Sequence, residues 1–594
     1  MCGILGYVGY RTEPKEKTLR NSLQTLEKRG PDSSSTWAAD EVWFGHTRLS
    51  IIDQSGGSQP MVSQCGRIVV IYNGEIYNYN ELKTRYRYPY RTRCDTEILI
   101  AGYLNKGMDF LNDIRGMYAF SLYDARQERI FISRDPFGIK PLMYWVGKKQ
   151  LVFASEIKAL LPNMGPIKPH RPQIHEYLGR KFIPSPGTAY KDIKRLGRGE
   201  TLEYDTRNHT CQITCFWDSY PNIVTDSPDK GRNLKEAVRN SVKRHMVSDV
   251  PVSLFLSGGV DSSVLAASVP EQCLPLTSYT VGLSGELVDE DVTNARLVAS
   301  RLGLEHKRLS LGKLAIDDIV GSIAYFDEPF ADTAILATNM LAKAASEATR
   351  VVLTGDGGDE MYYGYPVYRQ FSQAGEIPRM LYQFLIKQMA WSKQCSSWGM
   401  RRASNSDDRY TGMYYGIPNT ILENLLGEKI RYTPSLPEDR TPCALRNYDL
   451  EINLPDYYLH KIDKLSMYHS LEVRVPFLDL DVFSAVQQFN ADNHYDQFGS
   501  KAVLRSQFSE DLPDSVFSRR KQGMQRNWKY LIGDHLAPLL NEYINNELLS
   551  WLGIKPDIFC KLMKSKTLLA DAVRWRLLVL GIWLKHNRKH ILLT

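Results

Sequence analysis

Cys2 directly follows the initiator methionine, so removal of one residue would leave a thiol and a free α-amine on the same residue. An α-amine titrates near ~7.7–8.0, which suits it to take the thiol proton at neutral pH and leave a thiolate as nucleophile. Downstream, Asn73 and Gly74 follow the apolar run Ile68 to Ile71, where a strand is expected to end in a loop. A side-chain amide and an unobstructed backbone N–H there are two donors for the oxyanion of an acyl-transfer intermediate, although Asn-Gly also makes an ordinary hairpin turn. Arg48 offers a bidentate partner for a carboxylate, and Glu75 and Asp95 offer partners for an amino group. Free glutamine carries the groups these side chains would bind.

A second chemistry lies in Ser257-Gly258-Gly259-Val260-Asp261-Ser262-Ser263, between the strand-like Pro251 to Leu256 and an alanine-rich stretch. A strand, a glycine loop and a helix N-terminus together make an anion site. The loop has no lysine after its glycines, and the chain has no Gly-x-Gly-x-x-Gly fingerprint, which removes the main support for kinase, P-loop or dinucleotide readings. Thr354-Gly355-Asp356-Gly357-Gly358-Asp359-Glu360 follows the apolar Val351 to Leu353, so it too belongs at a strand end, where open α/β sheets bind ligands. Asp261 and Asp359 are then candidate Mg²⁺ ligands beside phosphate. Asp356 is expected to orient the acceptor or handle protons.

The elements that must position these groups change character along the chain. Arg67 to Tyr72, Gly116 to Tyr123, Arg129 to Ser133 and Leu151 to Ala154 read as strands, with helices over Lys15 to Lys28 and Thr96 to Lys106. Helices packed on antiparallel sheets are expected there. A polar stretch follows, placing a first domain at 1–205, a linker at 206–232 and a second domain at 233–594. In the second, Pro251 to Leu256, Leu276 to Val281 and Arg350 to Leu353 alternate with helical Leu234 to Met246, Thr293 to Leu302 and Thr338 to Glu347, the pattern of a parallel sheet covered by helices. From Tyr365 onward few strand candidates remain, so that part is expected to be mostly helical.

Composition sets the outer limits. In 594 residues, apolar types make up 43% and charged types 24%, a globular balance. The 74 basic and 67 acidic residues leave +7, scattered along the chain, so nucleic acid is not an expected partner. Nine cysteines at irregular spacing argue against a disulfide framework and for a cytoplasmic location. Cys211 and Cys215 near His209 have no second pair at ligand spacing. The longest late apolar run, Leu577 to Leu584, is far shorter than the ~20 residues that cross a bilayer.

Met1-Cys2-Gly3-Ile4, Arg29-Gly30-Pro31-Asp32, Arg48 to Asp53, Tyr72 to Asn78 and Arg134-Asp135-Pro136-Phe137-Gly138, in that order, resemble the class II glutamine amidotransferase domain of the asparagine synthetases. The resemblance implies an αββα sandwich of N-terminal nucleophile type. It also implies Cys2 as amidase nucleophile, Arg48 at the glutamine α-carboxylate, Ile51 and Ile52 among the glutamine-binding residues, Asn73 and Gly74 as oxyanion hole, and Glu75 with Asp95 at the α-amine. The Ser257 and Thr354 loops are similar to the family's ATP pyrophosphatase signatures. The likeness continues through Asp327 to Asp332, Asp463 to Met467, Glu472 to Asp479 and Arg520 to Gly523. It implies an ATP site at Leu256, Ser257, Gly258, Gly259, Asp261, Ser262, Ser263, Val281, Thr354 and Gly355, Mg²⁺ on Asp261 and Asp359, and Lys521 at the acyl-adenylate and its pyrophosphate. The chain departs from the family at Met524 to Asn527 and at Thr333 to Thr338, both expected on the acceptor side. The resemblance implies aspartate as acceptor, with another carboxylate, such as a sugar uronate or a biosynthetic intermediate, as the alternative. The expected partners are glutamine, ATP and that acid, and homodimer formation is left open.

Overall fold

In the computed structural model, residues 1–217, 229–283, 290–373, 410–518 (except 434, 438 and 440) and 531–591 (except 589) are described. Twelve strands lie in the first part: β1 (Cys2–Val8), β2 (Ser33–Ala39), β3 (Val42–Arg48), β4 (Met61–Val62), β5 (Ile68–Ile76), β6 (Gly116–Asp124), β7 (Arg129–Arg134), β8 (Met143–Gly147), β9 (Gln150–Ala154), β10 (Lys194–Arg195), β11 (Glu200–Asp205) and β12 (Thr210–Cys215). They form two six-stranded sheets, ordered β10-β8-β9-β1-β3-β2 and β12-β11-β7-β6-β5-β4, with antiparallel pairing throughout.

The two-residue period of each strand decides which layer a side chain enters. Ile4 and Val8 of β1, Val42 and Phe44 of β3, and Val69 and Ile71 of β5 share one core between the sheets. Their neighbours point outward: Leu5, Tyr7 and Trp43 meet Leu19 and Leu23 of the helix Glu13–Gln24, and Ile68, Val70 and Tyr72 meet Ile98, Leu99 and Ala101 of the helix Glu97–Lys106. The result is helix, sheet, sheet, helix, as the resemblance implies. Because both strand faces are buried, β5 reads as a continuous apolar run instead of an alternating one.

The second part is built on β13 (Val252–Phe255), β14 (Thr277–Leu283), β15 (Glu305–Leu311), β16 (Val351–Leu353) and β17 (Glu472–Arg474). All pair parallel, in the order β15-β14-β13-β16-β17. From β13 the chain fills one side of the sheet and then the other, so the switch point falls between β13 and β16. Crevices beyond the carboxyl ends of strands at such a point are where open sheets bind ligands. Most of the remainder is helical, and no helix among the described residues is long and apolar enough to cross a membrane.

Two expectations need correction. β5 continues through Ile76, so Asn73, Gly74 and Glu75 sit within a strand held by β6 and not in a loop after it. Residues 210–215, inside the stretch read as a linker, form the exposed strand β12, which hydrogen-bonded pairing with β11 stabilises despite its polarity. The late part is mostly helical, as expected, and its few strands are β17 of the parallel sheet and a small two-stranded ribbon at Tyr495–Asp496 and Gly499–Ser500. Three residues are too short a run to show a period in sequence.

Candidate functional site

The first site forms where β1 and β5 meet across the sandwich. Strand register sets Cys2 directly opposite Arg48, and Asn73 reaches over from the other sheet to accept a hydrogen bond from the Cys2 nitrogen on Oδ1 at 3.0 Å. The other end of that amide, Nδ2, is buried without a partner. An unsatisfied donor beside a nucleophile is what an oxyanion hole leaves when nothing is bound. Gly74 has no room for a side chain, since a Cβ would lie 2.1 Å from the Met117 carbonyl oxygen.

Arg48 uses three of its five donors on its own loop, to the carbonyls of Gln54 (2.9 Å), Ile52 (3.2 Å) and Asp53 (2.7 Å). That fixes the guanidinium beside buried Ile51 and Ile52. Asp95 Oδ2 accepts from the Tyr72 hydroxyl at 3.0 Å and from the Ile76 N–H at 2.9 Å. Glu75 keeps Oε2 buried without a partner, while its Oε1 lies 3.6 Å from the Arg474 guanidinium of the parallel-sheet part. Burial, then the nearby Glu472 and Asp95 charges, hold the Glu75 carboxyl well above the usual range, an environment that an incoming ammonium would relieve.

Met1 occupies the remaining space. Its side chain is buried, its ammonium pairs with Glu472 at 2.9 Å, and the residual cavity among these groups is ≈20 Å³, room for about one water. Burial also raises the Cys2 thiol. The pocket can admit an amino acid only after Met1 leaves. If Asn73 supplies the oxyanion donor, Asn73→Ala should lower kcat for glutamine hydrolysis by ~10²–10³ with little change in KM, as steady-state kinetics would show.

Other motif residues make buried contacts, and those of Arg29 with Asp463 and of Glu328 with Arg195 join the two parts. Arg29 donates to the Cys2 carbonyl at 3.1 Å, to Glu156 at 3.0 Å and to Asp463 at 2.8 Å. Arg134 binds three backbone carbonyls, of Lys140, Leu196 and Gly138. Asp327 pairs with Lys464 at 3.1 Å, and Glu328 pairs with Arg195. All these charges are buried, so removing one partner would strand the other at a cost of ~3–5 kcal/mol.

The second site lies at the switch point. Ser257–Ser263 follows β13 and Thr354–Glu360 follows β16. Gly258 takes φ +69, and a Cβ at Gly355 or Gly358 would press to 2.9 or 2.8 Å against the Asp261 side chain, so glycine is what lets the loops touch. The Ser262 hydroxyl accepts from the Ser257 N–H at 3.1 Å, the Gly259 N–H donates to the Ser257 hydroxyl at 3.4 Å, and the Ser263 hydroxyl is buried without a partner. Leu256 is in the core with its N–H on the Tyr279 carbonyl at 2.9 Å; it can offer a ligand little beyond shape. Val281 is half-buried on β14.

Thr354 donates to Asp356 at 2.7 Å, and burial raises the Asp356 carboxyl. Asp261 and Asp359 both pair with one ammonium, that of Lys501. Two carboxylates meeting on a single cation fit the donor set of a Mg²⁺ site. Nothing in the sequence pointed to Lys501, which is 240 residues from Asp261. Lys521 and Met524 to Asn527 lie outside the described residues.

Family models match the chain as a glutamine amidotransferase domain over residues 1–217 and as asparagine synthase over residues 233–585. Glutamine-hydrolysing asparagine synthetase 1 of Bacillus subtilis is 30% identical, over 98% of this chain and 96% of that protein. Glutamine-hydrolysing asparagine synthetase B of Escherichia coli is 32% identical, over 67% of this chain and 72% of that protein.

Proposed function

The chain belongs to the glutamine-hydrolysing asparagine synthetase family, and we propose that it moves the amide nitrogen of glutamine onto an ATP-activated carboxylate, with aspartate as acceptor and asparagine, glutamate, AMP and pyrophosphate as products. With Met1 removed, the Cys2 amine takes the thiol proton and the sulfur attacks the glutamine amide carbon. Asn73 Nδ2 and the Gly74 N–H hold the oxyanion. Collapse expels ammonia and leaves a thioester that water hydrolyses to glutamate. Arg48 holds the substrate carboxylate, and Glu75 with Asp95 holds its amine.

In the second site the acceptor carboxylate oxygen attacks the α-phosphorus of ATP and pyrophosphate leaves. Ammonia then attacks the acyl carbon, AMP departs, and the nitrogen loses a proton. Asp356, whose carboxyl is raised by burial, is suited to accept it. Asp261 and Asp359 would hold Mg²⁺, which neutralises phosphate charge when bound. The Ser257 loop would cradle phosphate with its backbone N–H groups, and Lys521 would meet the pyrophosphate. Ammonia must travel unprotonated between the sites, which implies a protein-enclosed passage.

The observation that carries this reading is the convergence of Asp261 and Asp359 on one cationic point at the switch of the parallel sheet. One feature beside the acidic loop is compatible with a larger acceptor. Tyr365, whose hydroxyl donates to Glu360 at 2.8 Å, stacks on Tyr458 at 5.8 Å between ring centroids, and the Lys461 ammonium lies 5.7 Å from the Tyr458 ring. Stacked rings would give a planar acid a surface to pack on as readily as they would flank aspartate. The test supplies ATP, Mg²⁺ and ammonium with a panel of carboxylic acids and follows AMP and product mass. Aspartate is expected to give AMP and asparagine; AMP with another acid only would move the assignment to that acid.

A further inference from the structure

Lys501 sits where a metal belongs. Its ammonium pairs with both Asp261 and Asp359, its side chain is 7% exposed, and its backbone holds φ +63 at the start of the helix Ala502–Phe508. A left-handed backbone is uncommon for a residue with a side chain and costs energy that the surroundings must offset. Gly364 is shaped around the same contact: a Cβ there would lie 2.0 Å from Asp359 Oδ1 and 2.4 Å from Lys501 Cε. The Gly364 N–H is tied to the Asp359 carbonyl at 2.7 Å, and the Ser500 hydroxyl donates to the Gly364 carbonyl at 3.3 Å. Three separate segments thus make room for this ammonium.

Charge arithmetic gives the arrangement a consequence. Two carboxylates and one ammonium sum to −1, so half of the pair's negative charge is compensated without metal. A divalent cation entering alone would meet a resident positive charge at the point it must occupy, and would have to break a buried ion pair to do so. ATP changes the balance, because its phosphates offer the displaced ammonium a new partner within reach of a flexible four-carbon stem.

We propose that Lys501 is an internal counter-cation of the nucleotide site, holding Asp261 and Asp359 together until Mg²⁺ arrives with ATP and then turning to the phosphates, so that metal binds with nucleotide and not before it. This rests on the assignment of Asp261 and Asp359 as the metal ligands. It makes Lys501 a gate on the order of binding, a role distinct from that of Lys521.

Mn²⁺ binding to the full chain, read by electron paramagnetic resonance of free Mn²⁺, separates the two claims. With α,β-methylene-ATP present, the unaltered chain should bind Mn²⁺ beyond the amount that the same nucleotide holds without protein, and Asp261→Asn should not; binding by Asp261→Asn equal to that of the unaltered chain would overturn the metal assignment itself. Without nucleotide, Lys501→Met should bind Mn²⁺ at least tenfold more tightly than the unaltered chain, and adding Asp261→Asn to it should remove the gain. Equal Mn²⁺ affinity of the unaltered chain and Lys501→Met, with Asp261→Asn behaving as expected, would overturn the proposal for Lys501. Should Lys501→Met not fold, Lys501→Gln, which keeps a hydrogen-bond donor and loses the charge, should show the same gain, and its absence would count equally against the proposal.

Discussion

Replacing Cys2 with alanine should abolish amide transfer from glutamine while added ammonium still supports synthesis. Deleting a nucleophile costs up to ~10⁶ in rate where the remaining groups act only with it, so glutamine-dependent product should fall to background. The ammonium-dependent rate should change little, since no second-site side chain is altered. The substitution is small, the residue lies at the end of β1, and its backbone contacts to Asn73 and Arg29 do not need the thiol. An N-terminal extension that prevents loss of Met1 should mimic Cys2→Ala for two reasons: the α-amine stays in a peptide bond, and the Met1 side chain stays in the pocket. Parallel assays of glutamate and of amidated product check both variants. Equal loss of both activities in a folded protein would show that the labour is not divided between the sites.

The converse substitutions act on the other half. Asp261→Asn and Asp359→Asn should each lower ATP-to-AMP conversion by ~10²–10³, the scale at which losing one preorganised electrostatic group slows such a step, while glutamine hydrolysis continues. Each change also leaves Lys501 with one carboxylate partner instead of two, so these variants should bind ATP with weaker dependence on Mg²⁺. Phosphorus NMR of the nucleotide products with glutamate release on the same samples checks the separation. ADP as the product would refute cleavage between the α and β phosphates.

How far the sequence reveals this arrangement depends on the range of the contact. Cys2, the Asn73-Gly74 pair and the two acidic or glycine-rich loops are legible because each is a short stretch whose residue types carry the chemistry locally. The antiparallel and parallel regions are legible from the change in period and from the spacing of helices between strands. What escapes is set by pairing across hundreds of residues. Lys501 follows the short ribbon strand Gly499–Ser500, and no local pattern marks it; only the fold brings it to Asp261 and Asp359. Glu472 and Arg474 belong to a recognisable stretch, yet their contacts with the Met1 ammonium and with Glu75 follow from β17 being the last strand of a parallel sheet packed against the other part. The polar strands β12 and β15 show little apolar pattern because pairing with a neighbour, and not burial, defines them.

The central claim is that one nitrogen passes from glutamine through this chain to a carboxylate activated as an adenylate. Glutamine labelled with ¹⁵N in its amide, supplied with ATP, Mg²⁺ and aspartate, tests it in one reaction when product mass and nucleotide are measured together. The account predicts ¹⁵N in the amide of the product and one AMP for each labelled molecule formed. Unlabelled product, or labelled product accompanied by ADP, would contradict it.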